Sequence, residues 1–110
     1  MDYAAFIEAY RGLFQKGWVA VEMPDRNLIR VINKSAPEGL QHQCCPVTAV
    51  TYDQGYGFYT NWQWSSAARK LGLDYRVASN LVIAADYGST TDPNKKIARI
   101  RKDFLAATKE

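Results

Sequence analysis

The run Cys44-Cys45-Pro46-Val47-Thr48-Ala49-Val50 sets the frame for the whole chain. Proline lacks the N–H that goes unpaired at a first helical position anyway, so Pro46 starts a helix and Cys45 takes the capping place before it. Val47 and Val50 follow at helical spacing on one side. A helix that opens this apolar must enter the interior, and the other elements have to pack around it. The same stretch gathers both thiols of the chain and its sole histidine, His42.

Four more helices can be placed by their start and stop signals. Asp2 caps a first helix running to about Lys16, with Tyr3, Phe6, Ile7, Tyr10, Leu13 and Phe14 at three- and four-residue steps. Gly17 is its stop. The helix begun at Pro46 ends near Gln54, before Gly55 and Gly57. Thr60 or Asn61 caps the next, whose buried face is Trp64, Ala67, Ala68 and Leu71. Gly72 takes the left-handed position after it and Leu73 folds back, as in a Schellman stop. Asp74 caps a fourth helix with Ala78, Leu81, Val82 and Ala85 inward, ending by Gly88. Asp92-Pro93 pairs a capping residue with proline and predicts the start of a fifth, striped by Ile97, Ile100, Phe104 and Leu105.

Between the first two helices, Trp18 to Met23 and Leu28 to Asn33 are β-prone runs separated by Pro24-Asp25-Arg26-Asn27. A hairpin over residues 18–33 is the natural reading, and an irregular loop or a short helix is the alternative, because Leu28-Ile29-Arg30-Val31-Ile32 alternates imperfectly. A hairpin alone is marginal and must lie against the helices. Lys34 to Gln43, with Pro37 and Gly39, is a loop. The expected fold is mainly α: a compact five-helix single domain with a small two-stranded hairpin.

A chain of 110 residues with 47% hydrophobic and 23% charged content suits one folded domain. No apolar run exceeds about five residues, as in Leu81 to Ala85, far short of the roughly 20 residues that span a bilayer. Asp2 and Glu8 stand where a signal peptide would be basic and then apolar, so the expected location is the cytoplasm and no membrane partner is expected. There both cysteines stay reduced, and adjacent cysteines rarely pair because the small ring strains the intervening peptide bond. The charge is uneven. From Pro93 onward six basic residues face two acidic ones, a balance of +4, so residues 1–92 carry −1 of the chain total of +3.

Cys44, Cys45 and His42 are the candidates for chemistry. A thiol at a helix N-terminus feels the positive end of the macrodipole, and the free amides there can serve an oxyanion. No residue marks itself as the group that would orient His42. The ordinary alternative is a cysteine pair that caps and fills. Two adjacent cysteines and one histidine lack both zinc-ligand spacing and a fourth ligand, so no metal and no cofactor are expected. No phosphate-binding glycine loop or telling acidic pair is present, and the chain reads as non-enzymatic.

Tyr52, Tyr56, Phe58, Tyr59, Trp62 and Trp64 crowd into 13 residues broken by two glycines. Such a loop cannot turn every ring inward. Tyr56, Tyr59 and Trp62 are therefore expected to face solvent as anchors for a protein partner. Lys95, Arg99 and Lys102 line one face of the last helix and extend the candidate contact set, for phosphates or an acidic protein, against the alternative of a solvated face.

Residues 64–83, with Ala68, Leu71, Gly72, Leu73, Ala78 and Leu81 at the small, turn and apolar positions, resemble a helix-turn-helix DNA-binding motif. The resemblance implies a nucleic-acid partner met by Arg76, Ser79 and Asn80, two of which have the forks to read guanine and adenine edges. Two positions depart from the motif: only Ala78 stands where a larger apolar residue is expected, and Ile83 would face the groove. Cys45-Pro46-Val47-Thr48-Ala49-Val50, Leu71-Gly72-Leu73 and Ala84-Ala85-Asp86 together resemble a loose class of small helical proteins of bacteria and their phages. That resemblance implies a bacterial or phage source and leaves room for an inhibitor of a host system, such as an anti-CRISPR protein. Three functions thus stand in order: a protein-binding module, a DNA-binding regulator, and a cysteine-dependent enzyme.

Overall fold

Helix α2 (Pro46–Asp53) is the element the others surround, with every residue from Pro46 to Thr51 buried. Two of these are threonines, and burial obliges each hydroxyl to find a partner. Thr51 Oγ1 donates to its own helix at Val47 O (2.7 Å) and lies 3.3 Å from Ala67 O in the next helix, while Thr48 Oγ1 lies 3.4 Å from Cys45 Sγ. The computed structural model describes residues 1–21 and 28–108. Among them are five α-helices and one two-stranded sheet. The expected turn at Pro24–Asn27, and Met23 before it, lie outside the described residues.

Helix α1 (Tyr3–Leu13) buries Phe6, Ile7, Tyr10 and Leu13, and Asp2 Oδ1 accepts from Ala5 N at 2.8 Å as its cap. It ends three residues before the expected Lys16. Beyond Leu13 the chain tightens into i→i−3 bonds, Gln15 N to Gly12 O and Lys16 N to Leu13 O, and Lys16 sends its ammonium to Asp53 rather than to the helix end. Strands β1 (Trp18–Val21) and β2 (Arg30–Asn33) pair antiparallel, with Trp18 opposite Asn33 and Val21 opposite Arg30. On the other side of β2, Val31 and Cys44 exchange both backbone bonds at 2.9 Å. That two-bond link delivers the chain to the start of α2.

Helix α3 (Trp64–Lys70) follows a short 3₁₀ turn at Asn61–Gln63. It closes on the expected Schellman stop: Gly72 has φ +72°, Gly72 N reaches Arg69 O, and Leu73 N reaches Ala68 O, each at 3.1 Å. Asp74 then caps α4 (Tyr75–Asp86) through Arg76 N. The start of α5 (Lys95–Ala107) lies two residues beyond Asp92-Pro93. Asp92 Oδ1 is taken by Asn94 N at 2.7 Å, and Asn94 becomes the cap, accepting from Lys96 N and Ile97 N. Phe104 of α5 packs between Phe6 and Tyr10 of α1, with ring centroids at 6.4 and 5.0 Å. Ile97, Ile100 and Phe104 are buried as the stripe requires, while Leu105 is half-buried. Arg101 replaces an aliphatic residue on that buried face and donates to Ala84 O of α4 at 2.9 Å.

Candidate functional site

The cysteines are buried and the histidine is exposed. Cys44 is buried by its backbone link to Val31, and its thiol is pushed up to about 12 by that burial, with Cys45 beside it raising it further and Arg30 pulling it partly back. Cys45 is buried as the cap of α2 by its backbone; its side chain makes no capping bond and meets Thr48 instead. His42 is exposed, its ring edge-on to Phe58 at 6.2 Å. Among the described residues no hydrogen bond joins His42 to either sulfur. Nor does any group of three or more His, Cys, Asp or Glu side chains there stand ready to hold a metal ion.

The aromatic stretch divides into an anchored part and a displayed part. Trp18, Tyr52, Phe58 and His42 form a relay of edge-on rings, 6.2, 6.0 and 6.2 Å apart, running from a buried tryptophan to an exposed histidine. Tyr59, expected in solvent, is half-buried against the core, and its neighbour Phe58 is the exposed ring, at 46%. In a loop without a regular period, sequence gives no sign of which of two adjacent rings turns inward. Trp64 tilts onto Tyr75 at 5.5 Å, joining the starts of α3 and α4. Tyr56 is exposed, as expected, and Trp62 is 79% exposed.

Trp62 is outward without being loose. It sits in the 3₁₀ turn between two residues whose side chains are engaged. Asn61 Oδ1 accepts from Cys45 N at 3.2 Å, which ties the turn to the start of α2. Gln63 Oε1 accepts from both Thr60 N and Thr60 Oγ1, at 3.1 and 3.0 Å, while Gln63 N bonds Thr60 O at 2.9 Å. The backbone on either side of the indole is thus hydrogen-bonded to Thr60 and to the start of α2.

Helix α4 presents a second exposed face. Tyr75, Ile83 and Tyr87 recur at steps of eight and four residues, with Arg76 alongside. Of the three residues expected to meet DNA, only Arg76 is exposed; Ser79 and Asn80 are half-covered. Asn80 opens instead into a groove of about 470 Å³ between α4 and α5, where Val77, Ile100 and Tyr3 supply apolar lining and Lys95, Lys96 and Arg99 supply charge. Lys95 and Arg99 also border a second hollow of about 350 Å³ with Lys102. The three cations read from the sequence thus share one face, as their spacing requires, and all three are exposed.

What the fold and these surfaces define is a small helical domain with a displayed aromatic turn and a cationic groove. No protein-family model matches the chain, and comparison with curated proteins and with solved structures returns no match. Among the described residues no helix is long and apolar enough to cross a membrane.

Proposed function

We propose that this protein is a non-enzymatic contact module that binds another protein through the turn at residues 56–62, with Trp62 as the anchor. The observation that carries this reading is the pinned display of the Trp62 indole. Tryptophan, with tyrosine and arginine, is enriched among the residues that dominate binding energy. An anchor whose backbone is already ordered gives up less entropy on association. Tyr56 and Phe58 add exposed aromatic area in the same segment.

The test is capture from bacterial lysate by the wild type, Trp62→Ala and Tyr87→Ala. Tyr87 is 78% exposed and serves as a control for general stickiness. A protein held by the wild type and by Tyr87→Ala but lost from Trp62→Ala supports the reading. Capture indifferent to Trp62 overturns it.

DNA binding through Arg76 is a second reading, favoured by the Gly72 stop and Asp74 cap that join α3 to α4 in the order the helix-turn-helix resemblance demands. Titration with random duplex DNA at rising salt separates the two. A DNA reader binds, loses affinity steeply with salt, and is weakened by Arg76→Ala but not by Trp62→Ala.

A further inference from the structure

We propose that the groove between α4 and α5 is a binding site for a small organic anion, a phosphate or carboxylate joined to an apolar body. Its volume of about 470 Å³ falls in the range of ligand sites in general. Its lining is divided as such a molecule requires. Val77, Ile100 and Tyr3 offer apolar surface for the body, while Lys95, Lys96 and Arg99 offer positive charge for the head. Arg99 has the planar fork that grips a phosphate or carboxylate through two bonds, and Asn80 supplies both a donor and an acceptor for whatever polar atom the body carries.

The second observation is electrostatic. Lys95 and Lys96 occupy the first turn of α5, and that turn contains no acidic residue. A helix start is positive by its own dipole, and acidic side chains are the ones that stabilise it. Lys95 and Arg99 are also one turn apart, a spacing at which like charges repel. Of the acidic residues nearest in sequence, Asp92, three residues before Lys95, accepts through Oδ1 from Asn94 N, and Asp103, four residues after Arg99, accepts a hydrogen bond from the Tyr3 hydroxyl. The groove therefore concentrates positive charge against the local preference of the helix, and a bound anion relieves both the dipole and the repulsion. Residues that break a local rule for stability are the ones expected at a functional site.

The experiment is an NMR titration of the ¹⁵N-labelled protein with phenyl phosphate, and separately with its two halves, inorganic phosphate and phenol. Benzoate run in parallel distinguishes the two head groups, either of which satisfies the proposal. Expected are shifts centred on Val77, Asn80, Lys96 and Ile100, and an affinity for the joined molecule about tenfold above that for either half. Arg99→Gln should weaken binding by about tenfold with the remaining spectrum and the melting temperature unchanged. Inorganic phosphate binding as well as phenyl phosphate would reduce the groove to a charged surface and overturn the proposal. Phenol binding as well, or indifference to Arg99→Gln, would overturn it too. A short DNA duplex that shifts the same residues at far lower concentration would reassign the face to nucleic acid.

Discussion

The Arg30 guanidinium meets the Asp86 carboxylate at 2.6 Å, joining the second hairpin strand to the last residue of α4. The same nitrogen donates to Ile29 O, and Ile29 N donates to Ala85 O at 2.7 Å. Arg101 reaches Ala84 O from α5. Two cations thus converge at the C-terminal end of α4, where the last carbonyls need partners from outside the helix and the dipole is negative, a placement that stabilises the helix end. The hairpin, which would not hold alone, is fastened here.

Arg30→Met removes one partner of a largely buried pair and strands the Asp86 charge. A loss of about 3 kcal/mol is expected in denaturant unfolding. An equal loss in Arg30→Met and in the double variant Arg30→Met with Asp86→Leu would show that the pair itself is not what holds the hairpin.

Tyr59 and Trp62 are expected to answer alanine substitution in opposite ways. Tyr59 is half-buried against the core, so Tyr59→Ala should cost about 1–3 kcal/mol through lost packing. Trp62→Ala should stay within about 0.5 kcal/mol of the wild type. Thermal melts of both variants decide it, and a reversal of the two would mean the wrong ring has been placed outside.

The elements legible in the sequence are those specified by neighbours a few residues apart. Asp2 with Ala5, Cys45 with Pro46, Gly72 with Arg69 and Ala68, and Asp74 with Arg76 are all local arrangements, and each stands where its pattern put it. The start of α5, expected at Asp92-Pro93, lies two residues later, because Asp92 spends its carboxylate on Asn94 N and Asn94 takes the capping place. What sequence did not show is non-local. Cys44 is hidden because it bonds Val31, thirteen residues away, and Asn80 belongs with Arg99 because two helices meet. One signal was readable: Arg30, a charge inside an apolar strand, and Arg101, at helical spacing from Ile97 on the buried face, each require a partner indoors.

Gly88 lies where the chain leaves α4, and a Cβ there would come within 2.8 Å of Ile97 Cγ2 and 3.1 Å of Ala84 Cα. Gly88→Ala is expected to destabilise by about 1–3 kcal/mol through overpacking. Gly39→Ala, where a Cβ meets nothing within 4 Å, is the matched control and should be close to neutral. Denaturant midpoints for the two variants measure the difference, and equal midpoints would contradict the packing at Gly88.

Stability should fall in alkali because of Cys44. Burial, the largest cause, places its folded-state thiol at about 12, whereas an unfolded cysteine ionises near the usual value of about 8.5. Between those values the unfolded chain gives up the proton and the folded chain keeps it. The contribution is therefore intact below about pH 8.5 and is lost as pH rises, by up to about 1.4 kcal/mol per unit. Tyr10, also held neutral chiefly by burial, steepens the fall above its ordinary value of about 10. Cys44→Ala should flatten the decline between about pH 8.5 and 10. An unchanged slope in that variant would assign the alkaline loss to other groups.

The central claim is that the turn bearing Trp62 is rigid and its indole is in water before any partner binds. Backbone ¹⁵N relaxation at Asn61, Trp62 and Gln63, combined with a soluble paramagnetic agent read at the Trp62 indole N–H, measures both properties at once. Order parameters near about 0.85 at those amides, with strong relaxation of the indole, are expected. Order parameters below about 0.6, or an indole shielded from the agent, would contradict the account.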